Sequence, residues 1–275
     1  MVGIDPSWAD LPPEFRSSHD SAAAAYEAFG QSIIQMAAER VAVVKFQMAF
    51  FEAAGVEGLQ TLYWLAEFAR QQGLLVVFDG KRSDIGNTAT AYAGAYLGTE
   101  RQWACDALTV NPYLGEEGLT PFVDVAQHSG TGIFVLVRTS NPGAGRLQDA
   151  LIEGRPVYRI VADWVRKAAN ETKGTSNYSS VGAVVGATTP QQLSELRRQL
   201  PNSVLLIPGY GAQGGSAADC AAAFDEQGLG AVVNNSRGIM YAWKKPEYAG
   251  KHWLDASRLS LDAMIEDLRA VAPLK

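Results

Sequence analysis

The run VVFDGKRSDIGNT sets Asp79, Lys81 and Asp84 close together, with Thr88 at its end. A lysine between two carboxylates suits proton transfer, because nearby negative charge favours the ammonium form and fixes where it points. The apolar stretch from Leu75 to Phe78 that leads into this run reads as a buried strand. A charged side chain left dry at the end of such a strand is costly unless it is paired. Residues two apart on a strand share a face, so Asp79 and Lys81 are expected to project together. Asp84 falls on the turn beyond.

The elements that must position these residues follow from hydrophobic patterning. Apolar, β-branched-rich runs occupy residues 2–5, 41–47, 74–79, 107–111, 132–138, 181–187, 203–208 and 231–235. Most are continuous rather than alternating, as expected of parallel strands covered on both faces. Helical periodicity fills the gaps. Val157, Ile160, Val161, Trp164, Val165 and Ala168 share one face; Leu59, Leu62 and Ala66 form a stripe that stops at Gly73. Thr189 and Pro190 open a helix as N-cap and first-turn proline, and Leu261, Met264, Ile265 and Leu268 mark a last amphipathic helix. Eight strands alternating with helices is the pattern of a single-domain (β/α)8 TIM barrel. A doubly wound sheet shares the alternation, but Asp5 and Pro6 stand where its glycine-rich fingerprint would follow the first strand.

Composition narrows the function classes. The chain has 275 residues, 47% of them hydrophobic and 19% charged, with a net charge of −6. That balance argues against an electrostatic nucleic-acid binder, while leaving room for a local cationic pocket. No apolar run is long enough to span a bilayer, and the N-terminus lacks the basic flank and apolar core of a signal peptide, so a cytoplasmic protein is expected. Met1 falls almost on the first strand, so residues upstream of it are expected. Cys105 and Cys220 read as buried free thiols. His19, His128 and His252 show no metal-ligand spacing and read as surface residues, and no metal is expected. The tryptophans, Trp64 and Trp164 among them, read as packing between helices and barrel, and Lys244 and Lys245 as a solvated pair.

A barrel carries its site at the C-terminal ends of its strands. In order, those ends hold Asp5; Lys45 and Gln47; Asp79 and Lys81; Asn111; Arg138, Thr139 and Ser140; Pro208–Gly215; and Asn234, Asn235, Ser236 and Arg237. In LIPGYGAQGG the glycines let backbone N–H groups approach an anion, Gln213 adds a donor, and the segment is suited to close as a lid. Arg237 offers a fork for bidentate phosphate contact. The loops after the seventh and eighth strands are the usual phosphate site of such barrels.

DGKRSDIGNT resembles the signature of the orotidine 5'-phosphate decarboxylases, an Asp-x-Lys-x-x-Asp-Ile core with a threonine four residues after the second aspartate. VGIDP, VVKFQMAFFE, RTSNPGA, PGYGAQGG and NNSRG follow in the order of that family, so the resemblance spans nearly the whole chain. The longer bacterial branch is the nearer likeness. The abrupt N-terminus and an extended segment from Gly145 to Pro156 are departures. The resemblance implies conversion of orotidine 5'-monophosphate to uridine 5'-monophosphate and carbon dioxide, with no cofactor. It implies a charged tetrad of Lys45, Asp79, Lys81 and Asp84, with Lys81 as proton donor to C6. It further implies a homodimer in which Asp84, Ile85 and Thr88 complete the neighbouring subunit's site. Ser140 would contact the pyrimidine, Asp5 and Lys45 the ribose, and Pro208, Gln213 and Arg237 the phosphate end.

Two alternatives stand beside this reading. A metal-dependent barrel that decarboxylates a sugar-phosphate β-keto acid shares the Asp-x-Lys-x-x-Asp motif, but needs a further acidic ligand where the second strand offers Lys45. A catalytically silent nucleotide-binding protein on the same scaffold would have no need of so costly a charge cluster.

Overall fold

The computed structural model describes residues 1–100, 103, 105–187, 189–211 and 214–274. Eight parallel strands alternate with helices along the chain, the (β/α)8 pattern expected: β1 (Val2–Ile4), β2 (Val43–Gln47), β3 (Leu75–Arg82), β4 (Ala107–Val110), β5 (Gly132–Arg138), β8 (Val181–Val185), β9 (Leu205–Ile207) and β10 (Ala231–Val233). Two further strands, β6 (Leu151–Ile152) and β7 (Arg155–Pro156), pair antiparallel as a separate ribbon. Among the described residues no helix is long and apolar enough to cross a membrane.

The chain divides into two compact units. The first comprises Met1–Gly80, Trp103–Asp106 and Asn235–Glu266. Here β1 pairs with β2, and β2 with β3, in parallel register, with Phe46 opposite Phe78 and Gln47 opposite Asp79. Val2, Ile4, Val44, Phe46, Val76 and Phe78 are fully buried, which explains why these strands read as continuous apolar runs. Ser21 caps the Ala22–Ala38 helix by accepting from the Ala24 N–H. That helix packs on the Gly55–Gln71 helix at Gly30, where a Cβ would stand 2.6 Å from Leu65 Cδ1. Gly73, at φ +81, ends the second of these helices in the left-handed conformation expected of a C-terminal glycine.

The second unit comprises Lys81–Gln102, Ala107–Asn234 and Asp267–Lys275. It holds β4, β5, β8, β9 and β10, paired in succession. The register of β5 on β8 slips between Leu136 and Arg138, a bulge that puts both Val137 and Arg138 in buried positions. The Gly145–Pro156 segment contains a helix, Ala144–Gln148 at its start, and then the β6–β7 ribbon. Glu153 and Gly154 turn the ribbon with φ +51 and +78, the two left-handed residues of a tight hairpin.

Several sequence expectations are corrected. The Val157–Glu171 helix exists, but its buried face is Tyr158, Val161, Ala162, Val165 and Ala169. Val157, Ile160, Trp164 and Ala168 lie half-buried beside it. Trp64 is 52% exposed and meets the Tyr63 ring edge-on at 5.1 Å rather than packing between helix and barrel. Thr189 occupies the N-cap position before Pro190 without a capping side-chain bond. Lys244 is tied to Asp10 at 2.7 Å rather than simply solvated. The two cysteines are buried free thiols.

Candidate active site

Lys45 is the most enclosed of the candidate residues. Its side chain is 4% exposed, and its Nζ lies 3.2 Å from Asp5 Oδ1 and 3.5 Å from Asp79 Oδ2. The strand register builds this cluster. Lys45 stands in the middle of β2 opposite Gly3 and Val77, Asp5 follows the end of β1, and Asp79 pairs with Gln47. Gln47 donates to Asp79 Oδ2 at 3.1 Å, which fixes that carboxylate from a second side. Tyr241 donates its hydroxyl to the Asp5 carbonyl at 3.3 Å, holding the turn after β1. Burial is the largest single influence on Lys45 and opposes its charge. Asp5 and then Asp79 together outweigh it, by charge and by hydrogen bonding, and raise its pKa above the ordinary lysine value.

Lys81 is held differently. It belongs to β3 but adopts φ +47, a left-handed conformation uncommon for a residue with a side chain. The regular pleat expected to align Asp79 with Lys81 therefore ends at Gly80. Thr109, 1% exposed and the one polar residue of β4, accepts the Lys81 N–H at 2.9 Å. The Asn111 N–H donates to the Arg82 carbonyl at 2.9 Å and continues the ladder past the charged residues. Arg82 in turn donates to the Tyr96 hydroxyl at 3.2 Å and lies over the Tyr92 and Tyr96 rings.

Asp84 sits beyond the strand, where its Oδ1 accepts from the Ile85 N–H at 2.8 Å just before the Gly86–Leu97 helix. Thr88, in the first turn of that helix, is exposed, as are Ile85 and Tyr92 on the same segment. Ser140 follows β5 and packs against Gly186, where a Cβ would come within 3.0 Å of Ser140 Cβ. Arg138, named from sequence as a strand-end cation, is buried and hydrogen-bonded to Gln192, Gln148, Asp149 and the Thr139 carbonyl.

Pro208 follows β9, and its carbonyl accepts from the Ala187 N–H at 3.2 Å. Gly209, Gly211 and Gly214 in the next loop all have positive φ, which explains the glycine density there. The Gly211 and Gly215 amides bond to carbonyls of the same loop, so the loop braces itself. Gln213 lies outside the described residues. Arg237 is exposed and opens a short helix, Arg237–Met240. Buried Asn235 orients this helix by accepting the Gly238 N–H at 3.1 Å, and Ser260 donates to the Gly238 carbonyl at 2.8 Å.

Asp5, Lys45 and Asp79 thus form one cluster, and the other described candidates stand at or past strand ends, Thr88 lying farther on, in the helix after β3. Sequence reasoning missed Thr109 and Gln148. A lone threonine among apolar residues in the ALTV strand was the available signal for the first. Nothing local announced the second. No group of three or more His, Cys, Asp or Glu side chains that could hold a metal occurs among the described residues.

Comparison with known proteins agrees with this arrangement. A family model described as "Orotidine 5'-phosphate decarboxylase / HUMPS family" matches residues 1–252. An orotidine 5'-phosphate decarboxylase of Rhodopirellula baltica is 49% identical, covering 98% of this chain and 93% of its own. One from Caldicellulosiruptor saccharolyticus is 38% identical with the same coverage. A crystal structure of a protein from Streptomyces avermitilis superposes with a TM-score of 0.81 at 37% identity over 98% of this chain and 90% of that one. The fold is accordingly a (β/α)8 barrel. The motifs at the strand ends, the strand succession and the near full-length likeness agree, and the chain belongs to the orotidine 5'-phosphate decarboxylase / HUMPS family.

Proposed function

We propose that this chain acts as one cytoplasmic catalytic domain. It decarboxylates orotidine 5'-monophosphate to uridine 5'-monophosphate and carbon dioxide, the last step of de novo pyrimidine synthesis. The observation that carries this reading is the buried Lys45 clamped between Asp5 and Asp79, the latter on the strand that continues to Lys81. Loss of carbon dioxide from C6 leaves a carbanion that the pyrimidine ring delocalises poorly. The reaction therefore depends on charges placed around that carbon. Lys81 stabilises the developing carbanion and then delivers a proton to C6. Asp79 faces the departing carboxylate. Two such charges about 4 Å apart repel by roughly 4 kcal/mol at an effective dielectric near 20, a repulsion that vanishes as neutral carbon dioxide forms.

Lys45 keeps Asp79 and Asp5 in place and, with Asp5, meets the ribose. Ser140 contacts the pyrimidine; Pro208, Gln213 and Arg237 hold the phosphate. Binding energy from the phosphate, far from the reacting carbon, offsets the strain at the carboxylate. The scheme requires neither cofactor nor metal. Exposed Ile85, Thr88 and Tyr92 on one segment suit a homodimer interface in which Asp84 and Thr88 serve the neighbouring subunit's site. The metal-dependent β-keto acid reading is disfavoured by Lys45, a cation where that chemistry needs an acidic ligand.

The test is the loss of orotidine 5'-monophosphate absorbance with purified protein in excess EDTA. Rapid turnover is expected. A folded protein that binds uridine 5'-monophosphate but turns nothing over would replace this reading with that of a silent nucleotide-binding protein. Activity only after adding a divalent metal would favour the metal-dependent reading.

A further inference from the structure

The bulge in β5 buries the guanidinium of Arg138, and the groups around it converge on one stretch of backbone. Arg138 Nε donates to Gln192 Oε1 at 2.9 Å, Nη1 to the Thr139 carbonyl at 3.0 Å and to Gln148 Oε1 at 3.1 Å, and Nη2 to Asp149 Oδ2 at 3.2 Å. Gln148 Oε1 also accepts the Thr139 N–H at 2.9 Å, while Gln148 Nε2 donates to Thr139 Oγ1 at 2.8 Å. Both backbone groups of Thr139 and its hydroxyl are thereby held by two side chains. Gln148 and Asp149 belong to the Gly145–Pro156 segment that leads into the β6–β7 ribbon. On the opposite side the Gly186 N–H donates to the Arg138 carbonyl at 2.7 Å, and a Cβ at Gly186 would lie 3.1 Å from Ser140 N. Ser140 is confined from both directions.

We propose that Arg138 and Gln148 are positioning residues that fix the Thr139–Ser140 backbone and so hold Ser140 where it meets the pyrimidine. The inference rests on the role given to Ser140 above. It assigns a task to the Gly145–Pro156 segment: its Gln148 and Asp149 act as a buttress for the pyrimidine end of the site. A fork-shaped guanidinium meets this geometry, since one planar group reaches four acceptors on separate parts of the chain. Because the effect passes through the base contact, it falls on ligands that have a pyrimidine and spares those that have only the sugar phosphate.

The experiment measures the binding of uridine 5'-monophosphate and of ribose 5-phosphate, and KM and kcat for orotidine 5'-monophosphate. The proteins are wild type, Arg138→Met, Gln148→Leu, Ser140→Ala and the Arg138→Met/Ser140→Ala double variant. Arg138→Met and Gln148→Leu are expected to weaken uridine 5'-monophosphate about tenfold and to raise KM in step, since small misplacements of positioning groups have effects of this order or larger. Ribose 5-phosphate affinity should stay within about twofold, and Ser140→Ala should add nothing to Arg138→Met. Gln148→Leu leaves the buried cation in place, so the test survives if Arg138→Met does not fold. Equal weakening of both ligands, or no weakening in either variant, overturns the proposal. Unchanged nucleotide binding in Ser140→Ala removes the Ser140 assignment and this inference with it, while turnover by the wild type still decides the decarboxylase reading.

Discussion

The cluster around Lys45 and the segment around Lys81 contain the same residue types and are built by opposite means. Lys45 lies inside a regular strand, enclosed, with a carboxylate at 3.2 Å and another at 3.5 Å. Its geometry follows from strand register, with Tyr241 holding the turn at Asp5 and Gln47 fixing Asp79. Lys81 stands on an exposed strand end in a left-handed backbone conformation and leads into Asp84 and the exposed first turn of a helix. For a residue with a Cβ that conformation costs roughly 1–2 kcal/mol, so surrounding structure must impose it. A cation that only organises carboxylates can be sealed into a strand. On the proposed mechanism Lys81 must reach a reacting carbon, and that needs an exit from the pleat.

The largest expected effect comes from Lys81. Lys81→Ala should lower kcat by at least roughly a thousandfold, as loss of a proton donor in an electrostatic site does, while uridine 5'-monophosphate still binds. Loss of binding in proportion to loss of turnover would make Lys81 a binding residue and collapse the comparison. The next effect probes where Asp84 acts. Asp79→Ala and Asp84→Ala should each be inactive alone. Mixed and allowed to exchange subunits, they should regain activity in up to about a quarter of the sites, since in a symmetric dimer a mixed pair has one intact site. A mixture as inactive as its parents, with exchange verified by differently tagged chains, would return Asp84 to its own subunit.

The two regions were also unequally legible in the sequence. All eight strands of the barrel sheet could be read, because parallel strands buried on both faces must be continuously apolar, and Lys45 stood out as the one charge in VAVVKFQ. Strand ends were less clear. Residues 203–208 shorten to Leu205–Ile207, whereas β3 runs on through its charges to Arg82, because the ladder there is made by backbone groups indifferent to side-chain polarity. The left-handed Lys81, the bulge before Arg138 and the turn at Glu153 were invisible, since tertiary contacts rather than local preference set the backbone of a residue with a side chain. Helix faces fell between. Apolar periodicity located the Val157–Glu171 helix but gave its buried face too far to one side, because Tyr158 counts as polar by its hydroxyl and is nonetheless 5% exposed.

Thr109 sharpens the comparison at a smaller scale. Its hydroxyl accepts the Lys81 N–H at 2.9 Å, and Thr109→Val keeps the side-chain shape while removing that acceptor. A drop in kcat of about tenfold is expected, with nucleotide affinity unchanged and Thr109→Ser close to wild type, since misplacing a catalytic group by a fraction of an ångström acts on the chemical step. Affinity falling as far as kcat would make Thr109 a packing residue only.

The smallest effect is a pH dependence, and it belongs to Lys45. Its folded-state pKa is raised above the ordinary 10.5 because Asp5 and Asp79 together outweigh burial. A raised pKa in the folded state means that folding favours the bound proton. The resulting stabilisation is fully present below 10.5 and is lost as pH climbs through the raised value. Lys45→Met leaves two carboxylates facing each other without their cation, which should cost on the order of 3–5 kcal/mol at neutral pH. Urea unfolding of wild type and Lys45→Met from pH 8 upward should therefore show a constant gap in the neutral range. Above the ordinary lysine value the gap should narrow, no more steeply than about 1.4 kcal/mol per pH unit for one proton. Lys81→Met should show a smaller gap at neutral pH, because an ion pair made by an exposed side chain adds only about 0–1 kcal/mol. A gap for Lys81 as large as that for Lys45 would mean that both lysines are structural cations, and the contrast between an enclosed organiser and a projecting donor would fail.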